Sequence, residues 1–72
     1  MTIDEAREAA RQRLPIIYND SEYACISGIC FKFDGRGNTT PLLELYDKTG
    51  HSYTYARPRF VTIKGGFQNG ND

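Results

Sequence analysis

Pro15 divides this chain into two vocabularies, and that division constrains the fold more than any other feature. Before it, Ile3 to Leu14 is built mainly from Ala, Glu, Arg and Gln, residues that give up little side-chain freedom in a helix. After it come β-branched and aromatic residues, punctuated by Asn19-Asp20, Gly35-Arg36-Gly37 and Asp47-Lys48-Thr49-Gly50. That is the signature of short strands joined by tight turns. Helix-forming composition does not return, so the pattern predicts one helix followed by sheet.

The helix is expected over residues 2–14. Thr2 followed by Glu5 has the spacing of a capping box, in which the hydroxyl accepts from a first-turn N–H and the carboxylate reaches back to the cap. Asp4, Glu5 and Glu8 lie towards its start and Arg7, Arg11 and Arg13 towards its end, which suits the helix dipole. Pro15 biases Leu14 away from helical dihedrals and so ends it. Ile3, Ala6, Ala10 and Leu14 form a narrow apolar stripe with small residues in the middle, a shape that lies close against a sheet but buries little area.

Five strands are expected over residues 15–64. Ile16 to Tyr18 is followed by Asn19-Asp20, a pair that tolerates positive φ in a tight turn. Tyr23 to Phe33 is one long strand in which Tyr23, Cys25, Ile29, Phe31 and Phe33 alternate, while Ile26 falls out of phase. A bend or bulge at Ser27-Gly28 accounts for the mismatch. Asp34 to Asn38 is a loop, and Thr39 to Tyr46 places Leu43 and Leu45 on one face and Leu42, Glu44 and Tyr46 on the other. Asp47 to Gly50 fits a hairpin loop, His51 to Ala56 is the fourth strand, Arg57-Pro58-Arg59 interrupts it, and Phe60 to Ile63 is the fifth. Gly65 to Asp72, rich in Gly and Asn, reads as a flexible tail. The expected core is Ile16, Tyr23, Ile26, Ile29, Phe31, Leu43, Leu45, Val61 and Ile63.

Five short strands in so small a domain leave two exposed edges unless the sheet curls on itself. The fold expected is therefore mostly β, an N-terminal helix packed on a five-stranded antiparallel barrel. The order of a hairpin, a long loop, a hairpin and a short turn before a last strand resembles SH3-like barrels, in which Ala56-Arg57-Pro58-Arg59 would form a 3₁₀ turn. The run Ile17 to Tyr23, together with Leu43 to Tyr46, Asp47 to Gly50 and Ala56-Arg57-Pro58, also resembles short uncharacterised proteins of mobile elements and phages in gut Firmicutes. This resemblance implies a small barrel in a bacterial setting and carries no catalytic residues. The Trp and acidic loop with which eukaryotic SH3 domains take proline-rich peptides have no counterpart here.

The 72 residues suit a single domain with a thin core and no deep catalytic cavity. Nine Lys and Arg balance nine Asp and Glu, so no overall field draws the chain to phosphate backbones or anionic membranes. The start Met1-Thr2-Ile3-Asp4-Glu5 is acidic where a signal peptide is basic, and no apolar run approaches the ~18 residues of a membrane span. Cytoplasmic location is the expectation. Cys25 and Cys30 on one extended strand would stand roughly 16 Å apart, far beyond the ~7 Å that a disulfide spans. They read as reduced, small apolar residues.

Chemistry finds few candidates. His51 is the only histidine, and a triad needs a base oriented by a third group. Cys25, Cys30, His51 and Asp47 would complete four zinc ligands in number, but the cysteines are too far apart for a zinc knuckle. Gly35-Arg36-Gly37 lacks the helix that makes a glycine loop cradle phosphate, and Asp34 with Glu44 or Asp47 is placed around no cleft. No catalytic group, metal or cofactor is expected. What remains is Tyr46, Tyr53, Tyr55, Arg57 and Arg59. Alternation puts Tyr53 and Tyr55 on one face, and Arg57 and Arg59 would continue it if the chain stayed extended through Pro58. Such a face suits a protein partner, with Tyr18 and Phe60 adding to it. The alternative is single-stranded nucleic acid, with bases stacked on the tyrosines and phosphates held by the arginines, although the only further cations are scattered as Lys32, Arg36 and Lys64. A bulkier claim on the same residues is packing, with tyrosines at a rim and arginines as solubilising charges. A non-catalytic, monomeric or small homo-oligomeric binding module is the expectation.

Overall fold

A computed structural model describes residues 1–65 and shows one helix and six strands. Helix α1 spans Ile3–Gln12. The capping box forms as spaced: Glu5 N–H donates to Thr2 Oγ1 at 3.1 Å and Thr2 N–H to Glu5 Oε1 at 2.7 Å. The helix stops earlier than Pro15 alone would require. Arg13 takes the left-handed conformation at φ 54°, so that Arg13 N–H reaches Ala10 O and Leu14 N–H reaches Ala9 O, satisfying carbonyls that the helix end would leave orphaned.

Strands β1 (Ile16–Tyr18) and β2 (Ser21–Tyr23) form a hairpin whose turn residues, Asn19 and Asp20, both have positive φ, at 54° and 62°. Next come β3 (Cys25–Phe33), β4 (Thr39–Tyr46) and β5 (Tyr53–Ala56), then a 3₁₀ turn over Pro58–Phe60 and β6 (Val61–Ile63). The strands do not make a five-stranded closed barrel. They make two separate three-stranded antiparallel sheets, ordered β2-β1-β6 and β3-β4-β5.

Two breaks in the ladder account for the difference. The strand expected over Tyr23 to Phe33 divides at Ala24, which lies between the sheets and donates its N–H to Tyr46 O at 2.8 Å. β2 therefore pairs with β1 in one sheet while β3 pairs with β4 in the other. At the other end, the proline-led 3₁₀ turn separates β5 from β6, and β6 pairs with β1. Neither the fourth nor the fifth strand begins where alternation placed it: His51 and Ser52 lie in the loop before β5, and Phe60 in the 3₁₀ turn.

The bulge does form. The register shifts between Ile26 and Gly28, so the extra residue is Ser27. Ile26 opposite Leu45 and Ile29 opposite Leu43 both face inwards despite lying three apart. The core is Ile16 and Val61 from one sheet, Ile26, Leu43, Leu45 and Ala56 from the other, and Ala6 and Ala9 from the helix. Tyr23, Ile29 and Ile63 pack against it, half-buried. Phe31 is not in the core but 53 % exposed, because β3 runs past the helix and the first sheet into the β3–β4 hairpin, where nothing covers it. Ala9 replaces Ile3 in the buried line of the helix, and its lack of bulk lets the helix approach the sheet closely. The expected tail, Gly65 to Asp72, lies outside the described residues except for Gly65 itself. No helix among the described residues is long and apolar enough to cross a membrane.

Candidate functional site: the outer tyrosine face

The register of β3, β4 and β5 decides which side chains share the face turned away from the core. Leu43 and Leu45 point inwards, so Leu42, Glu44 and Tyr46 point out. Tyr46 stands opposite Tyr53 and Glu44 opposite Tyr55, with Gly28 and Cys30 of β3 facing Glu44 and Leu42. The result is a patch of three tyrosines on the same face as one carboxylate, which Tyr55 contacts.

Each ring is held. Tyr46 and Tyr53 stack with centroids 5.1 Å apart at 29°. Tyr46 also donates its hydroxyl to Gly50 O at 3.1 Å. Gly50 must be glycine, since its φ is 76° and a Cβ there would approach the Tyr46 hydroxyl to 3.3 Å. Tyr55 donates to Glu44 Oε2 at 2.7 Å, and Ser27, at the bulge, donates to Glu44 Oε1 at 2.9 Å. The hydrogen bond to Glu44, and then its negative charge, hold the Tyr55 hydroxyl above its ordinary pKa. Tyr53 and Tyr55 nevertheless expose 54 % and 52 % of their surface.

Only Arg57 stays with the tyrosine face. Arg57 is extended and continues the face beyond Tyr55, where with Lys32, Asp34 and Leu42 it lines a hollow of about 210 Å³. The chain does not stay extended through Pro58, because proline opens the 3₁₀ turn, a position that suits its fixed φ. Arg59 consequently leaves the tyrosines and lies over Phe60, 4.9 Å from the ring centroid. Arg57 and Arg59 meet instead at a groove of about 390 Å³ beside Met1, Ile3 and Pro41. Tyr18 and Phe60 do not join the face either. Tyr18 lies in the other sheet with its ring 6.3 Å from that of Tyr23, and Phe60 sits on the 3₁₀ turn.

The aspartates weighed for chemistry serve turns. Asp34 accepts from Arg36 N–H at 2.7 Å and Asn38 N–H at 3.0 Å, which lowers its pKa and makes the Gly35-Arg36-Gly37 segment a hairpin loop. Asp47 accepts from the Thr49 hydroxyl and from Thr49 N–H at 3.1 Å, with the same effect on its pKa. His51 is exposed, and Cys25 and Cys30 are free thiols, both half-buried. Among the described residues, no three His, Cys, Asp or Glu side chains gather as a metal site would require.

Sequence reasoning weighs Glu44 only as one of a carboxylate pair and does not join it to the tyrosine face. Its place was derivable: a loop from Asp47 to Ser52 pairs Tyr46 with Tyr53, and two residues further along each strand pairs Glu44 with Tyr55. Phe31 and Phe33, the latter 76 % exposed, are a second aromatic surface that alternation had turned inwards. No family model, curated protein or solved structure matches this chain.

Proposed function

We propose that the chain is a small non-catalytic module that docks a protein partner through the outer face of β3, β4 and β5, as an adaptor, a complex subunit or an inhibitor. The observation that carries this reading is the pair of half-exposed tyrosines, Tyr53 and Tyr55, fixed beside Tyr46 on a ladder of regular strands. Tyrosine is among the commonest anchors of protein interfaces because a large apolar ring and a polar tip can be buried together. Here the rings are already ordered by stacking and by hydroxyl hydrogen bonds, so docking immobilises little that was free. The sequence resemblance supports a bacterial or mobile-element setting, and cytoplasmic location accords with two free thiols.

The alternative, single-stranded nucleic acid, draws support from Arg57 and Lys32 at one end of the face. Glu44 weighs against it, since a carboxylate among the stacking rings repels phosphate, and a neutral chain supplies no compensating field. The test is capture of partners from the native host by the wild-type chain and by the Tyr53→Ala/Tyr55→Ala variant, with melting curves confirming that both fold. A partner retained by the first, and bound at least about tenfold more weakly by the second once purified, supports docking. Equal retention by both removes this face from consideration. Salt-sensitive binding of labelled single-stranded oligonucleotides, lost in Arg57→Ala, replaces the protein reading with the nucleic-acid one.

A further inference from the structure

Resting on the docking reading, we infer that the face recognises a cationic side chain, arginine or lysine, presented by the partner protein, with the Glu44 carboxylate as its counter-charge and the Tyr53 and Tyr55 rings beside it. Glu44 is central to the patch and half-buried, and both of its oxygens are oriented, one by Ser27 and one by Tyr55. Those hydroxyls aim the carboxylate but supply no positive charge. Each oxygen has two lone pairs and receives one of these hydroxyls, which leaves acceptor capacity for a guanidinium fork or an ammonium.

The cation that would neutralise Glu44 is absent from its surroundings. The ion pairs among the described residues join Arg11 to Glu8, and Lys48 and Lys64 to Glu22. None reaches Glu44. Arg57 and Lys32 lie further along the face, where Asp34 shares their hollow. Gly28 faces Glu44 across the ladder, and a Cβ on it would sit in van der Waals contact with Oε1, at 3.4 Å. With glycine at this position, no side chain from residue 28 lies against that oxygen. Tyrosine rings attract cations through their electron-rich faces, and do so more strongly as water is excluded by a docked partner. Carboxylate and flanking rings select the same chemistry.

The experiment is a titration of the isotopically labelled full chain, followed by NMR, with the blocked tripeptide acetyl-Gly-Arg-Gly-amide and its citrulline counterpart, which has the shape of arginine without the charge. The arginine peptide is expected to shift the amides of Glu44, Tyr53 and Tyr55 saturably, with a Kd of the order of millimolar, and the citrulline peptide to bind at least about tenfold more weakly. Glu44→Gln keeps an acceptor oxygen for one of the two hydroxyls and turns an amide N–H to the other, whose oxygen can accept it; the variant is expected to fold normally while losing the discrimination. Equal binding of the two peptides, shifts mapping elsewhere, or no saturation up to about 10 mM overturns the inference. A partner lost by Tyr53→Ala/Tyr55→Ala yet kept by Glu44→Gln would leave docking standing and remove the cation from it.

Discussion

Phe31 and Leu45 were both assigned to the core by alternation, and the structure treats them oppositely, so replacing each by alanine tests the fold directly. Leu45 is 0 % exposed and lies between Ile26 of β3 and Thr54 of β5. Truncating it removes three buried carbons at about 0.8 kcal/mol each, and the cavity left behind raises the total to about 3–5 kcal/mol. A domain of this size has a total stability of roughly 4–11 kcal/mol, so Leu45→Ala consumes a large part of it. Phe31 is 53 % exposed. Complete burial of a phenylalanine stabilises by about 1.5–3 kcal/mol, so with half of it covered Phe31→Ala costs about 1 kcal/mol. In thermal denaturation followed by circular dichroism, the second variant should melt about 4–8 °C below wild type and the first at least about 12 °C below, or show no folded baseline. Urea midpoints give an independent measure, falling by roughly 0.3–1 M for Phe31→Ala if unfolding exposes a typical small-domain surface. If Phe31→Ala proved as costly as Leu45→Ala, the hairpin would fold back over the core and the exposed aromatic surface described above would not exist.

Three further outcomes follow from local geometry. Thr2→Ala removes one half of the capping box and is expected to cost about 1 kcal/mol, read as a drop in melting temperature of about 4–8 °C, with Thr2→Ser restoring most of it. Gly50→Ala forces a side chain into the left-handed region at about 1–2 kcal/mol, and its Cβ crowds the Tyr46 hydroxyl, so the near-ultraviolet signal of the tyrosine face should change along with the melting temperature. In acid, Asp34, Asp47 and Glu22 should destabilise the fold together. Each is held below its ordinary pKa, the aspartates by hydrogen bonds from loop N–H and hydroxyl groups and Glu22 by Lys64. A lowered native pKa means that the charged form favours folding. The stabilisation is complete above the ordinary values of 3.8 and 4.5 and is lost as the pH falls below them towards the native ones. Tyr55 has the opposite sign: its native pKa is raised, so its contribution is complete below the ordinary value of 10.0 and lost as the pH rises through the native one, which absorbance of the tyrosinate can follow. A flat melting temperature across the acid limb would count against the loop hydrogen bonds.

Much of the local structure was legible because it depends on neighbours in the chain. The capping box of Thr2 and Glu5, the positive φ of Asn19 and Asp20, the Ser27 bulge signalled by Ile26, and β4 over Thr39–Tyr46 all follow from spacing, turn chemistry and side-chain period. The tyrosine pair on β5 was equally visible, because alternation alone puts Tyr53 and Tyr55 on one side. What failed was each step that assumed the chain ran on unchanged: the long strand through Ala24, the barrel closed from it, and the arginine line through Pro58.

Propensity and side-chain period, which act over a few residues, were enough to set one helix, the strand segments and the outward tyrosines. Tertiary packing set the rest: the ladder breaks at Ala24, β6 joins β1 rather than β5, and Phe31 lies beyond the cover of the helix. Those outcomes depend on pairings between residues far apart in the chain, where the choice is made by which apolar faces can be buried together and not by the preference of any one segment.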